Sequence, residues 1–268
     1  MKKVLSIQDL SCLGKCSLTV ALPVLSAMGC ACSVLPTAVL SAHTAFPDPH
    51  IRSLTEDILP ICRHMASTDI HFDAVSVGYL VDPAQAAAVE TALEQFDGFT
   101  VIDPAMGDHG KLYSGLDDTH VKAMKNLCQK ADLLLPNVTE AALLTGISYR
   151  ETADPAYYRA LLEGILALGA DAAVITGVSL EPEMTGFLGF SRENGEFSYQ
   201  ADRLPQKFHG TGDLFTAVLT GAYVRGQALP DAATLAARFV EKVIAATGDP
   251  TPFGVEFEPQ LPWLWKQL

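Results

Sequence analysis

The sequence predicts an α/β fold of three layers, α/β/α, around a mostly parallel central sheet. Three observations lead there. Apolar, β-branched runs recur along the 268 residues, each followed by a longer segment with helical periodicity. Several runs (AVSV at 74–77, TVI at 100–102, LLL at 133–135, AAVI at 172–175) are continuous rather than alternating, which marks strands covered on both faces. Pro and Gly punctuate the joints, at Asp82-Pro83, Asp103-Pro104, Leu135-Pro136 and Gly226. Strand and helix in alternation place helix layers on both sides of a parallel sheet.

In chain order, the first strand covers 4–8 and ends on Asp9, and a helix follows over 17–28. The second strand, 33–39, leads to Ser41, His43 and Thr44, and the next helix is expected over 51–66. Strand 74–77 runs into Gly78-Tyr79 and helix 83–96; strand 99–102 runs into Asp103 and, later, helix 117–130. Strand 133–135 is followed by Pro136-Asn137 and helices over 138–145 and 155–168. Strand 172–176 ends at Thr176-Gly177, strands 186–190 and 197–201 come next, and helices 211–225 and 230–246 complete the pattern. With no internal repeat, linker or low-complexity tract, one domain is expected over 1–268. Trp263 and Trp265 alternate with Leu264 and read as docking of the tail.

Polar residues therefore collect just past the carboxyl ends of separate strands. In open parallel sheets that edge is where ligands bind. Any one such residue could serve only its turn, but their joint occurrence points to a site.

Charge narrows the ligand. The net charge is −13, from 18 basic and 31 acidic side chains, which disfavours nucleic acid and anionic membranes as partners. With so few Lys and Arg, an anionic substrate must be held mainly by backbone N–H groups, helix N-termini and a metal. After Met1-Lys2-Lys3 no uninterrupted apolar segment follows, and no stretch nears the ~20 apolar residues of a membrane span, so a cytoplasmic location is expected. Six cysteines fit that compartment as free thiols, since neither C-x3-C nor C-x-C is a structural zinc spacing.

The sharpest local feature is His209-Gly210-Thr211-Gly212-Asp213 at the head of LFTAVLTGAYV. Two glycines at a helix start let the backbone approach a ligand with several N–H groups turned outward, at the positive end of the helix dipole. Asp213, in the first turn, is placed to reach a hydroxyl held against the loop. The plainer reading is that Thr211 or Asp213 caps the helix. A Walker loop is excluded, because G-x4-G-K-[ST] ending at Lys15 would need Gly at 9 and Ser or Thr at 16, where Asp9 and Cys16 stand. No G-x-G-x-x-G follows the first strand.

Asn137 with Glu140 reads as an N-cap and its capping-box partner. Glu140 beside Asp103 could also hold Mg²⁺ through water. Asp108 either faces nucleotide phosphates or is a solvated turn residue. His43 is a structural residue or a pocket residue, and Tyr79 stacks on a flat ring or packs at the sheet end.

Taken together in order, S-I-Q at 6–8, S-x-H-T at 41–44, Gly78-Tyr79, D-P-x-x-G-D at 103–108, P-N-x-x-E at 136–140 and the G-T-G-D turn resemble the pyridoxal kinases, a branch of the ribokinase-like superfamily. The resemblance implies a ribokinase-like fold and transfer of the ATP γ-phosphoryl group to the 5′-hydroxymethyl of pyridoxal, pyridoxamine or pyridoxine. It implies Asp213 as the base and N–H groups of Gly210, Thr211 and Gly212 on the moving phosphoryl. It places Asp103 and Glu140 near Mg²⁺ and the phosphates, and Asn137, Thr176 and Asp108 on the nucleotide side. His43, Thr44 and Tyr79 line the pyridine pocket. ATP and Mg²⁺ are the implied cofactors, K⁺ is a candidate third, and a homodimer is the implied assembly.

One departure stands out: the position after S-I-Q is usually Ser in such kinases and is Asp9 here, which would favour a protonated pyridine or the amine of pyridoxamine. The residues of 197–208, which cover the nucleotide in such kinases, do not align one by one. Two alternatives remain, a hydroxymethylpyrimidine kinase of the same superfamily and a non-catalytic B6-binding protein. The former usually has a Ser- and Gly-rich opening and Cys where Asp213 stands, and the latter would lack the base.

Overall fold

The computed structural model of the chain describes every residue except Lys207. The strands are β1 (Lys3–Ser11), β2 (Ala31–Leu40), β3 (Ile51–Ser53), β4 (Ala74–Val77), β5 (Phe99–Ile102), β6 (Gly107–Asp108), β7 (Lys111–Leu112), β8 (Leu133–Leu134), β9 (Ala172–Val178), β10 (Met184–Ser191) and β11 (Gly195–Asp202). The helices are α1 (Leu18–Ala27), α2 (Thr55–Ala66), α3 (Pro83–Leu93), α4 (Asp118–Cys128), α5 (Val138–Thr145), α6 (Pro155–Leu166), α7 (Thr211–Val224), α8 (Leu229–Ala246) and the short α9 (Leu261–Trp265).

Among the described residues a nine-stranded sheet runs β11-β10-β9-β8-β5-β4-β1-β2-β3, with β6 and β7 as a separate hairpin. The interior from β9 to β2 is parallel; β3 at one edge and β10 and β11 at the other are antiparallel. The pleat sorts the apolar runs onto two faces. Leu5, Ile7, Val75, Val77, Ile102, Leu134, Ala173 and Ile175 meet α2 to α6 on one side. Val4, Ala74, Val101, Leu133, Ala172 and Val174 meet α1, α7, α8 and α9 on the other. Each continuous apolar run is thus consumed by two cores, as its lack of alternation predicts.

The order also fixes a switch point. From β1 the chain reaches β2 through α1 on one face, and later reaches β4 through α2 on the opposite face. The two connections diverge and leave a crevice beyond the carboxyl ends of β1 and β4, the usual ligand position in such sheets.

Local chemistry sets the helix starts. Asp82, Asp117, Asn137 and Asp154 cap α3, α4, α5 and α6, each accepting a first-turn N–H. Such caps contribute about 0.5–2 kcal/mol apiece. The capping box expected at Asn137 and Glu140 is present.

Two local expectations are corrected. The helix expected over 51–66 begins only at Thr55, because Ile51, Arg52 and Ser53 pair with Leu40, Val39 and Ala38 as an antiparallel edge strand. All three are exposed, so no burial pattern marks them. The β6–β7 hairpin was not anticipated, since two-residue strands carry no periodicity. At the tail, Trp263 stacks on Phe239 of α8 with centroids 6.0 Å apart, while Trp265 is exposed. No helix among the described residues is long and apolar enough to cross a membrane.

Candidate active site

The glycine turn opens α7. Gly210 is the N-cap residue, in the left-handed region at φ 82°, and no side chain caps the helix. Neither Thr211 nor Asp213 takes the capping role that the plainer reading gave them, so the first N–H groups of α7 remain available to a ligand. A Cβ on Gly210 would lie 2.1 Å from the Lys15 carbonyl oxygen, which makes glycine obligatory there. A Cβ on Gly212 would meet nothing nearer than Asp103 Oδ2, at 4.0 Å. One glycine seats the turn against the 15–16 backbone; the other leaves open space in front of Asp103.

Asp213 is partly buried and ringed by protein, and burial raises its pKa to about 7. Asp103 and Asp9 push in the same direction, and the Ser17 backbone N–H opposes them. Ser17 has φ 52°, a strained conformation for a residue with a side chain, at the point where its N–H serves Asp213.

Next to Asp213 lies a buried carboxylate pair. Asp103, just past β5, accepts a 2.8 Å hydrogen bond from the Thr216 hydroxyl of α7. Burial raises its pKa to about 6, with Thr216 holding it down. Glu140 is 2% exposed and accepts the N–H groups of Met106 at 3.1 Å and Asn137 at 2.8 Å. Its pKa is raised well above the usual range, by burial first and Asp103 second. Asn137 donates its side-chain N–H to the Gly107 carbonyl and pairs with Thr176 through an isolated parallel bridge, which brings the ends of β8 and β9 together. Asp108, on the hairpin, is exposed and accepts the N–H of His109.

Tyr113 went unnoticed in the sequence. Burial, then Glu140, Asp108, Asp103 and Asp213, all raise its pKa, which sets it against the whole acid group. Its ring meets Tyr79 edge-on at 6.4 Å. Tyr79 in turn is raised to about 12 by burial and by Asp9. Asp9 is 2% exposed, and the Ser11 hydroxyl donates to its Oδ2 at 2.9 Å. Thus Asp9 and Tyr79, from the switch-point strands, and Asp213, from α7, border one another.

His43 is occupied by the protein. Its Nδ1 accepts the Ala45 N–H at 3.2 Å, which leaves Nε2 protonated and donating to the Pro252 carbonyl at 2.6 Å. Its ring also approaches His209 at 5.2 Å, and a Cβ on Gly14 would lie 2.1 Å from His43 Cδ2. The C-terminal segment is further tied in by Lys15, which donates its N–H to Phe253 and its ammonium to Glu258. His43 therefore pins the C-terminal segment to the loop after β1. Thr44, beside it, is half-buried.

No group of three or more His, Cys, Asp or Glu side chains among the described residues is arranged to hold a metal ion directly. The acid pair nevertheless fits a hydrated divalent cation. Two carboxylates share a buried site, and no Lys or Arg ion pair reaches either one among the described residues.

Comparison with known proteins identifies the family. The sequence profile of the phosphomethylpyrimidine kinase family matches residues 21–259. The chain belongs to that family. Its fold is ribokinase-like: a pyridoxal kinase from Lactobacillus plantarum superimposes with a TM-score of 0.90 at 34% identity, covering 100% of this chain and 98% of that one. A Bacteroides thetaiotaomicron protein, solved in an orthorhombic form with pyridoxal, gives 0.93 at 35% identity over 98% of this chain and 95% of that one. A pyridoxal kinase of Arabidopsis thaliana is 28% identical over 233 residues, 82% of this chain and 73% of that protein.

Proposed function

We propose that this kinase transfers the γ-phosphoryl group of ATP to the 5′-hydroxymethyl of pyridoxal, pyridoxamine or pyridoxine. The observation that carries the reading is the uncapped start of α7, with Asp213 in its first turn and open space in front of Gly212. A base raised to about 7 and a set of unclaimed N–H groups there suit phosphoryl transfer to an alcohol. The vitamer is favoured because a relative at 35% identity and a TM-score of 0.93 was solved with pyridoxal.

In this reading Asp213 accepts the proton of the 5′-hydroxyl as its oxygen bonds to the γ-phosphorus, and the bond to the ADP oxygen breaks. The N–H groups of Gly210, Thr211 and Gly212 hold the equatorial oxygens as charge shifts. Thr216 fixes Asp103, and Asn137 fixes Glu140, so both carboxylates keep their places without substrate. They would hold Mg²⁺ through water; when bound, the ion neutralises charge on the ATP phosphates. Asn137, Asp108 and Thr176 flank the nucleotide, and Tyr79 and Thr44 border the ring. Residues 1–268 act as one catalytic domain, supported by two cores that share one sheet.

A second reading, hydroxymethylpyrimidine phosphorylation, is favoured by the name of the matching family. A coupled ADP-release assay with the three vitamers and hydroxymethylpyrimidine separates the two. Turnover of at least one vitamer with higher kcat/KM than the pyrimidine is expected. Turnover of the pyrimidine alone overturns the vitamer reading.

A further inference from the structure

Gln85 is fully buried, and its side-chain amide is spent entirely outside its own helix. Its Oε1 accepts the Val81 N–H at 2.9 Å, and its Nε2 donates to the Thr37 carbonyl at 2.6 Å and to the Ser53 hydroxyl at 3.0 Å. These partners fix which way the amide points, because a backbone N–H can only donate and a carbonyl can only accept. Helix capping does not account for the bonds. Gln85 is the third residue of α3, where a capping box would return its side chain to the N–H of Asp82. Asp82 caps α3 without that help, and the Gln85 amide goes instead to the residue before it and to two strands.

Those strands lie across β1. The sheet order β4-β1-β2-β3 sets Thr37 and Ser53 on one side of β1 and Val81, which follows β4, on the other. Gln85 therefore spans the switch point, and each end of the span holds a segment that borders the crevice. The segment 78–81 carries Tyr79 between two anchors, the Gly78 N–H on the Ile7 carbonyl at 3.1 Å and the Val81 N–H on Gln85. The segment 41–50 carries His43 and Thr44; it leaves the end of β2 and returns as β3, so both its stems are tied to the same amide. Ser53 also meets Thr55 at 2.7 Å, and both donate to Asp82 Oδ2, at 3.4 and 3.3 Å, which closes the network on the cap of α3. A buried polar network with its members satisfied rigidifies what it joins.

We propose that Gln85 is a positioning residue for the vitamer, setting the gap between Tyr79 and the His43–Thr44 segment without touching the ring. This rests on the vitamer reading of the site. The nucleotide side is built elsewhere: Asn137 follows β8, Thr176 lies on β9 and the glycine turn opens α7, and none of them bonds to the Gln85 side chain. Loosening the bridge should therefore weaken the hold on one substrate and not on the other.

The test is steady-state kinetics, with vitamer and ATP varied in turn, and melting temperatures for wild type, Gln85→Met, Ser53→Ala and Val89→Ala. Methionine keeps the length of the side chain and removes the amide. Ser53→Ala removes one bond at an exposed position, so the fold persists. Val89→Ala, one turn further along α3 and fully buried, destabilises without touching the network. Gln85→Met should raise the vitamer KM roughly five- to fiftyfold, with a smaller fall in kcat and an ATP KM within about twofold of wild type. Ser53→Ala should raise the vitamer KM about two- to fivefold, and Val89→Ala should melt lower with both KM values unchanged. Vitamer and ATP KM rising together in Gln85→Met, a lower melting temperature with no change in KM, or the same KM rise in Val89→Ala would each reduce Gln85 to a scaffold and overturn the inference. If Gln85→Met does not fold, Ser53→Ala decides, and an unchanged vitamer KM there overturns it. All these outcomes leave the vitamer reading intact, whereas a wild type that phosphorylates none of the vitamers overturns both.

Discussion

Thr216 donates its hydroxyl to Asp103 across 2.8 Å, joining the second turn of α7 to the end of β5. The bond ties the helix that opens on the glycine turn to the acid pair, and so the proposed phosphoryl site to the proposed metal site. It also gives a buried hydroxyl on α7 its partner.

Thr216→Val should separate the two. The valine keeps the volume but removes the donor, and bonds to charged groups contribute about 1.5–3 kcal/mol. A loss of roughly tenfold or more in kcat/KM is expected, with a higher metal concentration needed for half-maximal rate. Because Thr216 holds the Asp103 pKa down, its removal should also move the acid limb of the pH–rate profile upward.

Asp213→Asn should lower kcat by roughly 10²–10⁴, the usual worth of a positioned base, while calorimetry still detects nucleotide and vitamer binding. In the wild type the base must be ionised to work, so kcat/KM should fall as pH drops below about 7. A flat profile through neutrality would remove Asp213 from proton transfer.

Stability should respond to pH in the opposite direction. Asp213 and Asp103 rise from 3.8 to about 7 and about 6 on folding. The folded chain then holds more protons than the unfolded one across that window. Their contribution is fully present below 3.8 and is lost as pH rises through the folded values. Melting curves of the ligand-free protein should show Asp213→Asn gaining on wild type as pH rises toward 7. A constant difference between the two would contradict this.

The two glycines of the turn should fail differently. Gly210→Ala meets a backbone carbonyl at 2.1 Å from a positive φ, so it should destabilise by about 1–3 kcal/mol or more and lose activity with the fold. Gly212→Ala meets only Asp103 Oδ2, at 4.0 Å, with no clash. It should melt normally and lose kcat, because its methyl occupies the space left for the phosphoryl group. Thermal denaturation and kinetics on the pair check this contrast.

Much of this architecture was legible because burial imposes pattern. Strands 74–77 and 99–102 coincide with β4 and β5, since both faces of each are buried and the apolar run is uninterrupted. Ile51–Ser53 was unreadable for the converse reason: an exposed edge strand has no face to mark. In the site, Asp103, Asp213 and Glu140 could be located because acids at strand ends and helix starts break an apolar context. Tyr113 could not, because its place against the acids is set by a six-residue hairpin excursion rather than by any repeat. Thr216 left a faint signal, three residues after Asp213 on the same helix face. Ser17 left none, since its contribution is a backbone N–H held at a strained φ.

The most direct measurement is a crystal structure of the chain with a non-hydrolysable ATP analogue and Mg²⁺. The terminal phosphate is expected against the backbone N–H groups of Gly210, Thr211 and Gly212, facing Asp213. A terminal phosphate bound away from that turn would contradict the assignment of the phosphoryl site.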